Sequence, residues 1–117
     1  MNIEELRTGE KQLKEMRKLS KAIHKCHENA CNGWPKLKRE VRDGKQYVYQ
    51  EQDDKFRERD ERRLENLENR AYELACEMEL VLYIQTDPRG GTIYLLPIQY
   101  KHEPHLDRIY SSVGWCV

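Results

Sequence analysis

The stretch that decides the fold is LVLYIQTDPRGGTIYLL, residues 80–96. Its two ends, Val81–Thr86 and Thr92–Leu96, are rich in β-branched and aromatic residues, which are typical of β-strands. Between them, the sequence Asp87-Pro88-Arg89-Gly90-Gly91 breaks the pattern with proline and glycine, the residues of tight turns. The stretch therefore predicts a β-hairpin whose loop, Asp87–Gly91, has about five residues.

The residues after this hairpin predict one more strand. Arg108–Val113 again contains isoleucine, tyrosine and valine, and Gly114 before Trp115–Val117 is a position for a bulge. We expect a three-stranded antiparallel sheet over residues 80–117.

The residues before the hairpin predict two long helices, over residues 3–32 and 53–79. In the first helix, apolar residues recur at steps of three and four, and Asn32-Gly33 followed by Pro35 ends it. In the second helix the same spacing forms a seam from Leu64 to Met78. The seam consists of Leu64, Leu67, Ala71, Leu74 and Met78.

Residues 33–52 carry weaker signals and are predicted as an irregular connection. Asp43-Gly44 is a turn signal, and Tyr47-Val48-Tyr49 is compatible with a short strand of a hairpin. The whole pattern predicts an α+β protein in which two long antiparallel helices pack on a three-stranded antiparallel C-terminal sheet. The 117 residues correspond to a single domain, residues 1–117.

Composition limits the cellular setting. Charged residues make up 36% of the chain and the mean hydropathy is −1.01, and no stretch approaches the roughly 20 apolar residues of a membrane span. Residues 1–20 lack the apolar run of a secretory signal. We therefore expect a cytoplasmic protein, in the host cell cytoplasm if the gene belongs to a phage. The four cysteines are then expected to be free thiols rather than disulfides.

The formal net charge of +0 conceals two halves of opposite sign. Residues 1–50 hold 12 Lys+Arg and 7 Asp+Glu, a balance of +5, whereas residues 51–117 hold 9 and 14, a balance of −5. Within the first helix, one face is lined with cations and nearly free of acids. We call its five lysines the lysine face: Lys11, Lys14, Lys18, Lys21 and Lys25. Arg7 extends the same stripe. Such a face suits an acidic protein surface or a nucleic-acid backbone, or is the solvated side of an amphipathic helix.

No catalytic motif is present, and the sequence implies neither a catalytic residue nor a cofactor. His27 and Cys31 are spaced to share a helix face as zinc ligands, but no second ligand pair accompanies them, so we predict no metal site. The composition of the Asp87–Gly91 loop suggests a more specific chemical role. Arg89 and the glycine amides could together hold a phosphate or carboxylate, or the loop is only a tight turn.

Two motifs resemble a family of small bacteriophage and prophage proteins of unassigned function. One is Glu28–Gly33, with Cys-Asn-Gly at the helix end, and the other is Tyr83–Tyr94, with its Gln-x-Asp-Pro-Arg-Gly loop. The resemblance implies a phage accessory protein and supplies no activity. It also implies that the two motifs meet in space. We call this expected site the polar corner; its residues are Cys31, Asn32, Gly33, Gln85, Asp87, Arg89, Gly90 and Tyr94.

Three functions follow from these features. The first is a non-enzymatic accessory protein that binds a host or phage macromolecule through the lysine face, for example as an inhibitor of a host defence such as CRISPR. A protein is the expected partner, and nucleic acid is the alternative. The second is a small-ligand or nucleotide-binding module centred on the Asp87–Gly91 loop. The third is a helical-hairpin homodimer that pairs through the Leu64–Met78 seam.

Overall fold

The computed structural model describes residues 10–87 and 90–117, without the side chains of residues 86–92. The helices are α1 (Glu10–Cys31), α2 (Asp54–Glu77) and α3 (Leu106–Val113). The strands are β1 (Pro35–Arg42), β2 (Lys45–Gln52), β3 (Leu80–Asp87), β4 (Gly90–Pro97) and β5 (Trp115–Cys116). A short 3₁₀ helix, Ile98–Tyr100, follows β4. The α+β class is as expected, with two sheets rather than one.

The core lies where α1 packs on α2 and on β4. The helical spacing predicts this correctly, because Leu13, Met16 and Ile23 of α1 are buried together with Leu74 of α2. The seam of α2 is part of this core. Ala71, Leu74 and Met78 are buried, and Leu64 and Leu67 pack against them. The surface expected for a helical-hairpin homodimer is therefore occupied within the chain.

The C-terminal sheet has the strand order β3-β4-β5 and is antiparallel, as predicted. The predicted five-residue loop is wrong, because Asp87 pairs with Gly90 and only two residues connect the strands. Strand β5 is short, and its Trp115 pairs with Leu95. The Val117 amide continues the strand by donating to the Ile93 carbonyl, 2.9 Å away.

The predicted strand Arg108–Val113 is wrong, since these residues belong to α3. The inner face of α3 shows helical spacing, because the half-buried positions are Leu106, Ile109, Tyr110 and Val113. Tyr110 stacks on Tyr83 at 4.7 Å between ring centroids and meets Tyr94 edge-on, also at 4.7 Å. These ring contacts with two adjacent strands favour a helix on the sheet over another strand in it.

The irregular connection predicted at residues 33–52 is also wrong, because β1 and β2 form a regular hairpin. Asp43 and Gly44 have φ values of 51° and 75°, the two positive angles of a type I′ turn, which suits the twist of paired strands. We call residues 35–52 the arm. The molecule measures 66 × 29 × 22 Å. Helix α2 is about 36 Å long and a strand of the arm is about 26 Å long. Their combined length is close to the long dimension of the molecule, so the arm extends the helix pair lengthwise.

Candidate functional site

The lysine face keeps its predicted geometry. All five lysines are exposed, whereas the opposite side of α1 is buried against α2 and β4. At 3.6 residues per turn they fall within an arc of about 80° and extend over about 21 Å. Arg7, predicted to extend the stripe, lies outside the described residues.

Acidic residues compete little for these lysines. In the part of the chain that the structure describes, the one ion pair of the lysine face joins Lys25 to Glu28 at 3.8 Å. Glu15 is directed to α2, where Arg70 binds its two oxygens at 2.8 and 3.2 Å and holds the pKa of this carboxyl below its ordinary value. A shallow groove of about 450 Å³ runs beside Lys11, Lys14 and Lys18, with Glu77 among its lining residues. The face is therefore positively charged and open along most of its length.

A polar cluster that the sequence did not predict lies at the junction of the arm and the helices. Asp60 of α2 is only 6% exposed and accepts hydrogen bonds from Trp34 Nε1 at 3.0 Å and from Asn29 Nδ2 at 3.3 Å. Arg57 covers the Trp34 ring at 5.5 Å. The Asp53 amide donates to the Trp34 carbonyl at 2.9 Å. These contacts fix the base of the arm.

Cys26 belongs to the same cluster and differs chemically from the other thiols. It is 1% exposed, and burial, assisted by the charge and hydrogen bonding of Asp60, raises the pKa of its thiol to about 11. At pH 8 we expect iodoacetamide to modify Cys26 at least about a hundredfold more slowly than an exposed thiol, because only the thiolate reacts and burial also shields the sulfur from the reagent. Peptide mass spectrometry of the native protein measures this against exposed Cys76 and Cys116. Equal rates at the three positions would contradict the assignment, and urea should equalise them.

The raised pKa of Cys26 also predicts how the free energy of unfolding changes with pH. The folded-state pKa of Cys26 lies above the ordinary value of 9.0, so its contribution to stability is complete below about pH 9. It is lost as pH rises through 11. A Cys26→Ala variant should lack this part of the alkaline decline.

The residues of the polar corner lie on three elements. Cys31 and Asn32 are exposed at the end of α1, and Gly33 follows with a φ of 74°. The backbone amides of Asn32 and Gly33 donate to carbonyls of α1 itself. Gln85 and Tyr94 are half-buried in β3 and β4.

Asp87 and Gly90 pair through their backbones, while Arg89 lies outside the described residues. Convergence of the two motifs therefore stays a prediction. Near the end of α1, Asn29 donates a hydrogen bond to Asp60 of α2.

The arm carries an apolar surface that the sequence analysis missed. Opposed residues of an antiparallel pair share a face, so the register places Leu37, Val41 and Val48 on one side of the arm. These three side chains, which we call the arm face, are 64%, 73% and 58% exposed. Tyr47 and Tyr49 lie on its other side and are also exposed. The sequence feature that could have indicated this hairpin is the Asp43-Gly44 turn, which has a segment of eight residues on each side of it.

A second apolar surface lies near the opposite end of α2. A cleft of about 360 Å³ is bordered by α2, β3 and the segment after β4. Tyr72 and Ile98 on its border are half exposed, and its polar lining residues include Glu79 and Lys101. We call it the α2 cleft; its other lining residues are Ala75, Cys76, Leu80, Val81, Leu82 and Leu106.

Metal-ligating side chains are not clustered in the part of the chain that the structure describes. Within residues 10–87 and 90–117, no group of three or more His, Cys, Asp or Glu side chains is arranged to hold a metal ion. His27, weighed above as a ligand, lies 3.7 Å from Glu68. In the same residues, no helix combines the length and apolar composition that crossing a bilayer requires.

In comparisons with known proteins, no family model, no curated protein and no solved structure gives a significant match to this chain. The functional argument therefore depends on the charge and exposure of the surfaces described above.

Proposed function

We propose that this chain is an accessory protein of the bacteriophage type that acts by binding an acidic partner protein through the lysine face. The observation that carries the proposal is the face itself: five exposed lysines on one side of α1 with a single ion pair among the described residues. A cationic face of this length steers an acidic partner by long-range attraction and excludes basic ones.

An acidic protein fits the face better than nucleic acid does. The lysine face contains no aromatic side chain on which a base can stack, and stacking is a common component of single-strand binding. The phage setting is supported by the resemblance of the Cys-Asn-Gly and Asp-Pro-Arg-Gly motifs. In one version of this proposal, the acidic partner belongs to a host defence system, and binding by the lysine face inhibits it.

A charge-reversal experiment tests the working surface. The protein, immobilised on beads, captures its partner from nuclease-treated bacterial extract, and the partner is identified by mass and purified. The variant K14E/K18E/K21E should then bind this partner at least about tenfold more weakly at low salt, because three attractions become repulsions. For the wild type, the affinity should fall as salt increases.

The matched control is K55E/R59E/R62E, which reverses three exposed cations of α2. It changes the net charge by the same amount and should leave the affinity within about twofold. Equal binding by K14E/K18E/K21E and the wild type would exclude the lysine face. Loss of capture after nuclease treatment, with retained binding to DNA or RNA, would favour nucleic acid as partner. A captured defence effector would support the inhibitor form of the proposal, and a captured protein of another class would oppose it.

A further inference from the structure

The arm face is an unusual surface to leave in water. An isolated two-stranded hairpin is marginally stable, and the arm makes its main contacts within itself. Nevertheless, its three aliphatic side chains are more than half exposed. Burial of such side chains is favourable because it removes apolar surface from water. An occupant that covers the arm face is therefore expected.

The charges around the arm face restrict this occupant. Arg39 lies on the same side as Leu37, Val41 and Val48, directly opposite Val48 in the register. No acidic residue shares this side, because its remaining members are Pro35, Gln46, Gln50 and Gln52. A complementary surface is therefore apolar and carries a carboxylate near the position of Arg39.

The α2 cleft has this composition. Leucine, valine and isoleucine side chains line it, and its charged lining residues are Glu79 and Lys101, both exposed. Of these two, Glu79 supplies the carboxylate that Arg39 requires. The wider charge distribution agrees: the arm holds 5 Lys+Arg and 3 Asp+Glu, a balance of +2, while residues 53–117 hold 9 and 13, a balance of −4. The two complementary surfaces are thus encoded in one chain.

The arm cannot reach the cleft of its own molecule. It joins α2 at Asp53, whereas the cleft lies beside Ala75–Glu79, about 35 Å further along the helix. The arm also extends the molecule lengthwise to 66 Å, away from that end of α2. A contact between arm and cleft therefore requires two molecules.

We propose that the chain forms a two-fold homodimer in which each arm face docks in the α2 cleft of the other copy, with Arg39 beside Glu79. In an antiparallel pair of elongated molecules, each arm lies next to the cleft end of the other copy. Both contacts then form and the assembly closes, as the preference of oligomers for two-fold symmetry favours. This inference uses surfaces separate from the lysine face and does not depend on the proposed partner.

Charge exchange between two variants tests the dimer. By light scattering coupled to size exclusion at about 100 μM and low salt, the wild type should have the mass of two chains. R39E and E79R should each weaken the dimer at least about tenfold, because each places like charges together twice. An equimolar mixture of R39E and E79R should restore it, since both contacts of the heterodimer then pair opposite charges.

The control K21E changes an exposed lysine of α1 and should leave the mass at two chains. Circular dichroism verifies that R39E and E79R are folded, and the recovery in the mixture cannot come from unfolded chains. A wild-type monomer would overturn the proposal, as would a mixture that stays monomeric. A series of growing oligomers would overturn the closed two-fold arrangement.

Discussion

Replacement of Asp60 by alanine should lower the free energy of unfolding by about 3 kcal/mol, because it leaves two hydrogen-bond donors in the protein without their acceptor. The donors are Trp34 Nε1 and Asn29 Nδ2, at 3.0 and 3.3 Å from the two Asp60 oxygens. Removal of a buried charge relieves its desolvation, which acts in the opposite direction. The unsatisfied donors should outweigh this gain, since Asp60 is paired through both oxygens. Urea unfolding followed by far-UV circular dichroism measures the change.

Two further variants separate the causes. Asp60→Asn keeps one oxygen as an acceptor and should lose roughly half as much stability. Glu65→Ala, which removes an exposed carboxylate of α2, should cost under about 0.5 kcal/mol. Hydrogen exchange in the arm should accelerate in Asp60→Ala, because Trp34 no longer fixes its base. If Asp60→Ala were as stable as the wild type, the cluster would not anchor the arm.

Gly114→Ala should also destabilise the fold, by about 2–3 kcal/mol, because the added carbon overlaps fixed atoms. A Cβ at this position would lie 2.5 Å from the Tyr110 carbonyl oxygen and 3.3 Å from that of Leu95. Both neighbours are backbone atoms of α3 and β4, so relief requires the two elements to separate. The expected signature is a lower midpoint of thermal unfolding together with a weaker near-UV signal from the packed tyrosines.

The matched substitution is Ser111→Ala, which adds no atoms on the exposed side of α3. It should change stability by less than about 0.5 kcal/mol. If Gly114→Ala equalled Ser111→Ala in stability, the close approach of α3 to the sheet would be wrong.

The two long helices could be predicted because their apolar residues repeat at the helical period. The C-terminal end of α1 could also be predicted. The helix ends at Cys31, and Gly33 adopts the left-handed conformation expected after a helix end. Leu13, Met16, Ile23 and Leu74 follow from the same pattern. In these elements, local sequence and tertiary packing favour the same structure.

Helix α3 could not be predicted in this way, because its isoleucine, tyrosine and valine favour strands in isolation. The deciding interaction is the contact of Tyr110 with Tyr83 and Tyr94, which lie far from it in the sequence. The arm is a different case. Asp43-Gly44 was recognised as a turn, but the polarity of its neighbours concealed two paired strands of eight residues each.

Among the candidate surfaces, too, some could be predicted from the sequence and others could not. The lysine face could be read from spacing alone, because the exposed side of a helix is set by its buried side. Asp60 could not, since nothing in the sequence distinguishes it from the other acids in the first half of α2. Its burial depends on Trp34 and Asn29, which the chain brings to it from about 30 positions away. The α2 cleft likewise involves elements that meet only in the folded protein.

The attachment of the arm has a mechanical consequence. Trp34 adopts a φ of 48°, and its main chain is tied on both sides, to Asn29 and to Asp53. The arm is about 26 Å long, and its orientation relative to the helices is set at its base by Trp34. A rotation of about 10° at that point displaces the tip by about 5 Å over this length, roughly the spacing between neighbouring strands. Small adjustments around a single side chain therefore decide where the far end of the molecule can reach.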